Sequence, residues 1–183
     1  MATWRYSKSN SVKMSRDSPE STSGDSVTSS ERSRGDSSSD DDDSLDLSYS
    51  ELMEFPRSLL LSRPLQWHSL QLASNRLEVL PPELGLFTNL VTLDVSNNCL
   101  KSIVDDVCRL RHLRTLVARN NCLCVESIPK DFGMLASLAV LNLSGNELTQ
   151  LPVQFTELPR VKCLYLGANR ISVIPPQIQN MTK

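Results

Sequence analysis

The sequence predicts an α/β solenoid: an arc of stacked repeat units with a parallel sheet on its concave side and irregular, 3-10 or short helical segments on its convex side. Three observations carry this. An apolar-rich unit recurs five times after residue 66, and each copy holds an asparagine at the same place. Those asparagines, Asn75, Asn98, Asn121, Asn146 and Asn169, are separated by 23, 23, 25 and 23 residues. Four of the five units close on a Leu-Pro or Ile-Pro corner, at Pro81, Pro129, Pro152 and Pro175. A fixed period of this length signals a solenoid, because one unit cannot bury its own apolar face and stacking about three or more units does.

The units read WHSLQLASNRLEVLP from Trp67, LVTLDVSNNCLKSIV from Leu90, LRTLVARNNCL from Leu113, LAVLNLSGNELTQLP from Leu138 and VKCLYLGANRISVIP from Val161. Together they match L-x-x-L-x-L-x-x-N-x-L, the leucine-rich repeat pattern. A weaker unit, LDLSYSELMEFP, spans Leu45 to Pro56, with Ser50 in the asparagine position. The predicted organisation is a Ser/Asp-rich disordered tail over residues 1–41 and a repeat domain over 42–183. That domain comprises a weak unit at 42–66 and five clear units at 67–183.

Within each unit the L-x-L segment predicts a short parallel strand, because alternate strand residues face opposite sides of a sheet. Leu70 and Leu72, Leu93 and Val95, Leu116 and Ala118, Leu141 and Leu143, and Leu164 and Leu166 are the inward pairs. The asparagine follows the strand, where the chain turns. Its amide both donates and accepts, so it can satisfy turn backbone groups cut off from water, and stacked copies predict a structural ladder. Leu77, Leu100, Leu123, Leu148 or Ile171 comes next, and then the proline corner sets the entry to the convex side. Val104 stands in the proline position of the second clear unit. Leu84 with Phe87, and Phe155 with Leu158, are expected to pack the convex segments back onto the strands.

The unit from Leu113 is two residues longer. Its register expects an apolar residue at Glu126, but Ile128 supplies it, so Cys124 to Ser127 holds an insertion, which repeat architectures place in a loop. Cys122 and Cys124 there suggest no metal site: Cys122 occupies the variable position after the asparagine, as Cys99 does one unit earlier, and His68 and His112 lie in unrelated places. A closed zinc site needs four ligands.

Composition narrows the function classes. The formal charge is −2 with no basic stripe, which gives no reason to expect nucleic acid. No apolar run reaches the eighteen or so residues of a membrane helix. The first residues, MATWRYSKSNSVKMS, lack an apolar signal segment, and Ala2 excludes myristoylation. Five scattered cysteines fit reduced thiols and placement in the cytosol or nucleus. In such a compartment the glycosylation-like triplets at Asn142 and Asn180 stay unmodified. Two isolated histidines make no acid–base pair, and no phosphate loop or nucleophile elbow is present. No cofactor, metal or small-molecule substrate is expected, and the chain reads as a non-enzyme.

In the tail, Ser37, Ser38 and Ser39 each precede an aspartate by three residues, which suits an acidophilic kinase, and Ser18 precedes a proline. Residues 55–70, FPRSLLLSRPLQWHSL, loosely resemble an F-box, but their fit to the repeat register favours a structural reading. No polar cap follows the last unit, so the sequence reads as a truncated or alternatively spliced product, or an incomplete gene model. Apolar surface is then expected near Leu164, Leu166, Ile171, Ile174 and Ile178.

The outward strand positions predict a binding face. The candidate contacts are Gln71, Asp94, Val117, Asn142 and Tyr165 at the fifth position, Arg119 at the seventh and Arg170 at the tenth, with the insertion at Cys124 to Ser127 as a second site. Arg and Tyr are frequent interface anchors. A sheet of five strands about 4.8 Å apart is some 20–25 Å wide, which suits a protein or extended peptide.

The repeats resemble the intracellular 23-residue class typified by Ras-group-related and Shoc-type scaffold proteins. More closely, LRTLVARNNCL, the lengthened unit ending IPKDF, LAVLNLSGNELTQLP and CLYLGANRISVIPPQI resemble the leucine-rich-repeat-containing protein fifty-eight family, over about residues 67–183. That resemblance implies a cytosolic binding protein without enzymatic activity. Two functions are consistent with it: a scaffold that binds a protein partner through its concave face, or an adaptor for an enzyme complex, such as a ubiquitin-ligase substrate receptor or a phosphatase regulator.

Overall fold

The computed structural model describes residues 3–5, 13–15, 43–61 and 64–181. Strands β1 (Thr3–Arg5) and β2 (Lys13–Ser15) pair antiparallel. The solenoid is built from β3 (Ser44–Asp46), β4 (Ser69–Gln71), β5 (Thr92–Asp94), β6 (Thr115–Val117), β7 (Val140–Asn142) and β8 (Cys163–Tyr165), which form one parallel sheet in chain order. The weak first unit therefore supplies a full strand. Register is strict: Leu45, Leu70, Leu93, Leu116, Leu141 and Leu164 stand in one column.

The convex side consists of 3-10 segments, with no α-helix among the described residues. They span Arg57–Leu61, Pro64–Gln66, Pro82–Leu86, Asp105–Arg109, Val125–Ser127, Lys130–Met134, Val153–Glu157 and Pro176–Met181. Each unit has too few residues between proline corner and next strand for a longer helix. The F-box-like stretch forms the first two of these segments and leads into β4.

The corner residues share one backbone geometry. Pro81 has φ −75° and ψ 146°, Pro129 φ −53° and ψ 143°, and Pro152 φ −59° and ψ 130°. Val104 adopts φ −68° and ψ 145° without a pyrrolidine ring to hold it. The core runs between the two sides as one cluster, in which Leu70, Leu93, Leu141, Phe87, Phe132 and Phe155 are fully buried. The Phe132 and Phe155 rings lie 5.4 Å apart, and Phe55 meets Phe87 edge to face at 6.3 Å. Each buried Leu or Phe contributes about 1.5–3 kcal/mol relative to exposure.

The asparagines form the predicted single column, and each one ties its rung to the preceding rung. Asn75, Asn98, Asn121, Asn146 and Asn169 accept through Oδ1 from the backbone N–H of Leu52, Leu77, Leu100, Leu123 and Leu148, at 2.9–3.1 Å. Each Nδ2 donates to two carbonyls in its own rung and one in the rung before, as Asn98 does to Val95, Ser96 and Leu72. Asn75 also accepts from Ser50 N, which closes the weak unit onto the array.

The insertion is a built turn. Ser127 is buried, its Oγ accepts from Cys124 N at 3.0 Å and donates to Lys101 O at 2.6 Å, and its carbonyl accepts from Ile103 N at 3.0 Å. The two extra residues thus brace the rung whose corner lacks proline.

At the last rung Leu164, Leu166 and Ile171 are partly buried, while Ile174 and Ile178 are exposed.

Candidate protein-binding surface

Parallel register converts the sequence positions into columns on the concave face. Asp46, Gln71, Asp94, Val117, Asn142 and Tyr165 follow one another across the sheet, beside the column Ser44, Ser69, Thr92, Thr115, Val140 and Cys163. Asp46 extends the first column by one rung. Sequence reasoning misses it because the first unit departs from the consensus, although its L-x-L is visible.

Several column members are occupied by their own backbone. Asp46 Oδ1 accepts from Ser48 N at 2.9 Å, Asp94 Oδ1 from Ser96 N at 2.8 Å and Asn142 Oδ1 from Ser144 N at 3.1 Å. Gln71 Nε2 donates to Ser69 Oγ at 3.0 Å. These bonds hold the polar groups in fixed directions, so little side-chain entropy remains to be lost on contact. Ser96, at the seventh position, is buried. Arg119, Arg170 and Tyr165 are exposed, and neither arginine forms an ion pair among the described residues. Tyr165 is 51% exposed.

Beside the tenth-position column, an open groove of about 760 Å³ runs past Met53, Arg57, Arg76, Val79, Pro82 and Cys99. At its margin Lys101 Nζ meets Glu78 Oε2 at 2.7 Å. That contact lowers the Glu78 pKa and raises that of Lys101.

All five cysteines are free, with Cys99 and Cys122 exposed and Cys108 buried. Burial, reinforced by the nearby carboxylates of Asp105 and Asp131, pushes the Cys108 thiol up to about 11. Among the described residues no group of three or more His, Cys, Asp and Glu side chains could hold a metal ion. Also among them, no helix is long and apolar enough to cross a membrane. Ser18, Ser37, Ser38 and Ser39 lie outside the described residues.

A second ladder escapes sequence reasoning. The residue before each ladder asparagine takes a left-handed backbone: Ser74, Asn97, Asn120 and Ala168 at φ 53–57°, and Gly145 at φ 68°. Three of these side chains link across rungs, Asn120 Nδ2 to Asn97 Oδ1 at 2.8 Å and Asn97 Nδ2 to Ser74 Oγ at 3.4 Å. The recurring Asn-Asn pairs are its visible signal, since Asn tolerates this region better than most residues.

The model of the leucine-rich repeat region matches residues 66–183 of the chain. The chain belongs to the leucine-rich repeat family. Among curated proteins it is similar to Leucine-rich repeat-containing protein 58 of Xenopus tropicalis, 46% identical over 93 residues, which cover 51% of this chain and 26% of that protein. The chain thus spans about a quarter of the length of that relative. Among solved structures it is similar to the Leptospira interrogans leucine-rich repeat protein LIC12759, at TM-score 0.69 and 34% identity, over 75% of this chain and 34% of that one. It is also similar to the plant peptide hormone receptor RGFR1, solved in complex with RGF2, at TM-score 0.59 and 29% identity, over 70% of this chain and 21% of that one.

Proposed function

We propose that this leucine-rich repeat chain is a non-enzymatic interaction scaffold in the cytosol that holds a protein partner against its concave sheet. Gln71, Asp94, Val117, Arg119, Asn142, Tyr165 and Arg170 are the contacts, residues 42–183 are the binding module and residues 1–41 an appended tail. One observation carries the reading: strict parallel register lines the outward residues into unbroken columns across six strands. Six strands at about 4.8 Å spacing give a face some 24 Å wide, which matches a folded surface or an extended segment. The family supports a protein-interaction role, and the structural relative RGFR1 was solved with RGF2 bound. The free thiols of all five cysteines are consistent with a reducing compartment.

Affinity capture tests this, with wild type beside an Arg119→Glu, Tyr165→Ala double variant. Both side chains are exposed, so the fold should survive. The expected result is loss of the reproducible partners of the wild type. Identical partner lists would remove the concave-face assignment.

A further inference from the structure

The turns that lead into the strands form a separate edge of the solenoid, away from the concave columns. On the rung of β6 this edge carries Arg111, His112 and Arg114, and on the rung of β8 it carries Arg160 and Lys162, all exposed. The corresponding positions of the intervening rung hold Ala136, Ser137 and Ala139, so no carboxylate separates the two groups there. Backbone pairing fixes their order up the edge: Arg114 N donates to Val91 O and Lys162 N to Ala139 O, each at 2.8 Å. Arg111 Nη1 donates to Met134 O at 2.6 Å, which turns its guanidinium toward the neutral rung. None of the five forms an ion pair among the described residues. Of the carboxylates near in sequence, Asp106 is paired with Arg109 at 3.0 Å, and Glu157 makes no ion pair with Arg160.

The same edge begins at Asp43. Its carbonyl accepts from His68 N at 2.8 Å and Ser69 N at 3.2 Å, and its carboxylate lies 3.2 Å from His68 Nδ1. The residues immediately before it read Asp36-Ser37-Ser38-Ser39-Asp40-Asp41-Asp42. At about 4.8 Å per rung, β6 lies about 14 Å and β8 about 24 Å from β3. Seven extended residues reach about 23 Å. The acidic run is therefore tethered at one end of this edge, and its far end, at Asp36, reaches the basic groups on the rungs of β6 and β8.

We propose that this edge binds the chain's own acidic run, Asp36–Asp42, and that phosphate on Ser37, Ser38 or Ser39 tightens the contact. Single exposed ion pairs contribute little. Here several converge, and the short tether raises their effective concentration to the millimolar range. Nucleic acid fits less well, because these edge positions offer only the small imidazole rings of His68 and His112, and no Phe, Tyr or Trp on which a base could stack. The proposal shares no residue with the concave-face reading and stands or falls separately.

The test is zero-length carbodiimide coupling on the full chain at low salt, with peptide mapping of the amide formed between Lys162 and Asp36, the member of the run far enough from Asp43 to span about 24 Å. Intramolecular coupling is expected, reduced several-fold by Arg111→Glu with Arg114→Glu and by high salt, and unchanged by Arg57→Glu with Arg76→Glu in the groove. All four substituted residues are exposed, and circular dichroism confirms that each variant folds. Absence of the coupling, coupling only between molecules, or equal yield from both double variants would overturn the proposal. So would displacement of the coupling by single-stranded RNA at concentrations where a glutamate-rich peptide of equal charge has no effect.

Discussion

The side chain of Asn98 accepts the backbone N–H of Leu77, 21 residues earlier, at 3.0 Å. Its amide nitrogen donates to Leu72 O at 2.9 Å and Val95 O at 3.0 Å. One buried side chain therefore closes its own turn and staples it to the previous rung.

Asn98→Ala would leave Leu77 N–H without its acceptor, while Leu72 O and Val95 O each lose one donor and keep the Nδ2 of Asn75 and of Asn121. A buried group stripped of its partner costs about 1–3 kcal/mol. We expect Asn98→Ala to destabilise the domain by about 1–3 kcal/mol in urea unfolding, and Asn169→Ala, at a part-buried position, to cost less. Equal losses would show that burial does not set the cost.

Val104 already holds a proline-like backbone, and its N–H makes no backbone hydrogen bond among the described residues. Proline at a compatible site stabilises by about 0.4–1 kcal/mol, chiefly by restricting the unfolded chain. Val104→Pro should raise the denaturation midpoint without changing the m-value. A fall would mean that the Val104 side chain, packed against the core, contributes more than the ring restores.

Ala168 and Gly145 occupy the same left-handed position, at φ 54° and 68°. A side chain there costs about 1–2 kcal/mol relative to glycine. Ala168→Gly should therefore stabilise the last rung, whereas Gly145→Ala should destabilise, because the new Cβ would collide with Asn120 Oδ1 as well. Combining Asn120→Ala with Gly145→Ala should recover part of that loss. Thermal unfolding of the three variants checks the order.

The Cys108 thiol, raised to about 11 from 9.0, holds its proton at neutral pH. At a given pH well below its pKa, a thiol forms about tenfold less thiolate for every step of one by which that pKa rises. Alkylation near pH 8 should label Cys99 and Cys122 well before Cys108, and Cys108 labelling of the folded chain should climb only as the pH approaches 11. Early labelling of Cys108, read by mass spectrometry, would show that the rung around it opens.

Much of this molecule is legible in its sequence. The period predicted the strands, because inward leucines at fixed spacing have one way to bury their faces. The Asn positions predicted the ladder, because a turn cut off from water needs a side chain that donates and accepts. Sequence also placed Tyr165 and Arg119 on the outward side of their strands, since alternation decides that within one unit. It did not show that Asp94 and Asn142 cap Ser96 and Ser144, or that Ser96 is buried, since both depend on how tightly the turn closes.

What the chain determines alone is therefore the contents of each rung: which residues point in, where it turns and where it departs from the rule. What the stack decided is every bond that crosses between rungs. The two extra residues near Glu126 read in the sequence as an insertion in a loop, and only the neighbouring rung's Lys101 carbonyl turns Ser127 into a brace. The physical reason is separation: such partners lie 21 to 28 residues apart, beyond any local pattern, and meet only when six layers settle into one register.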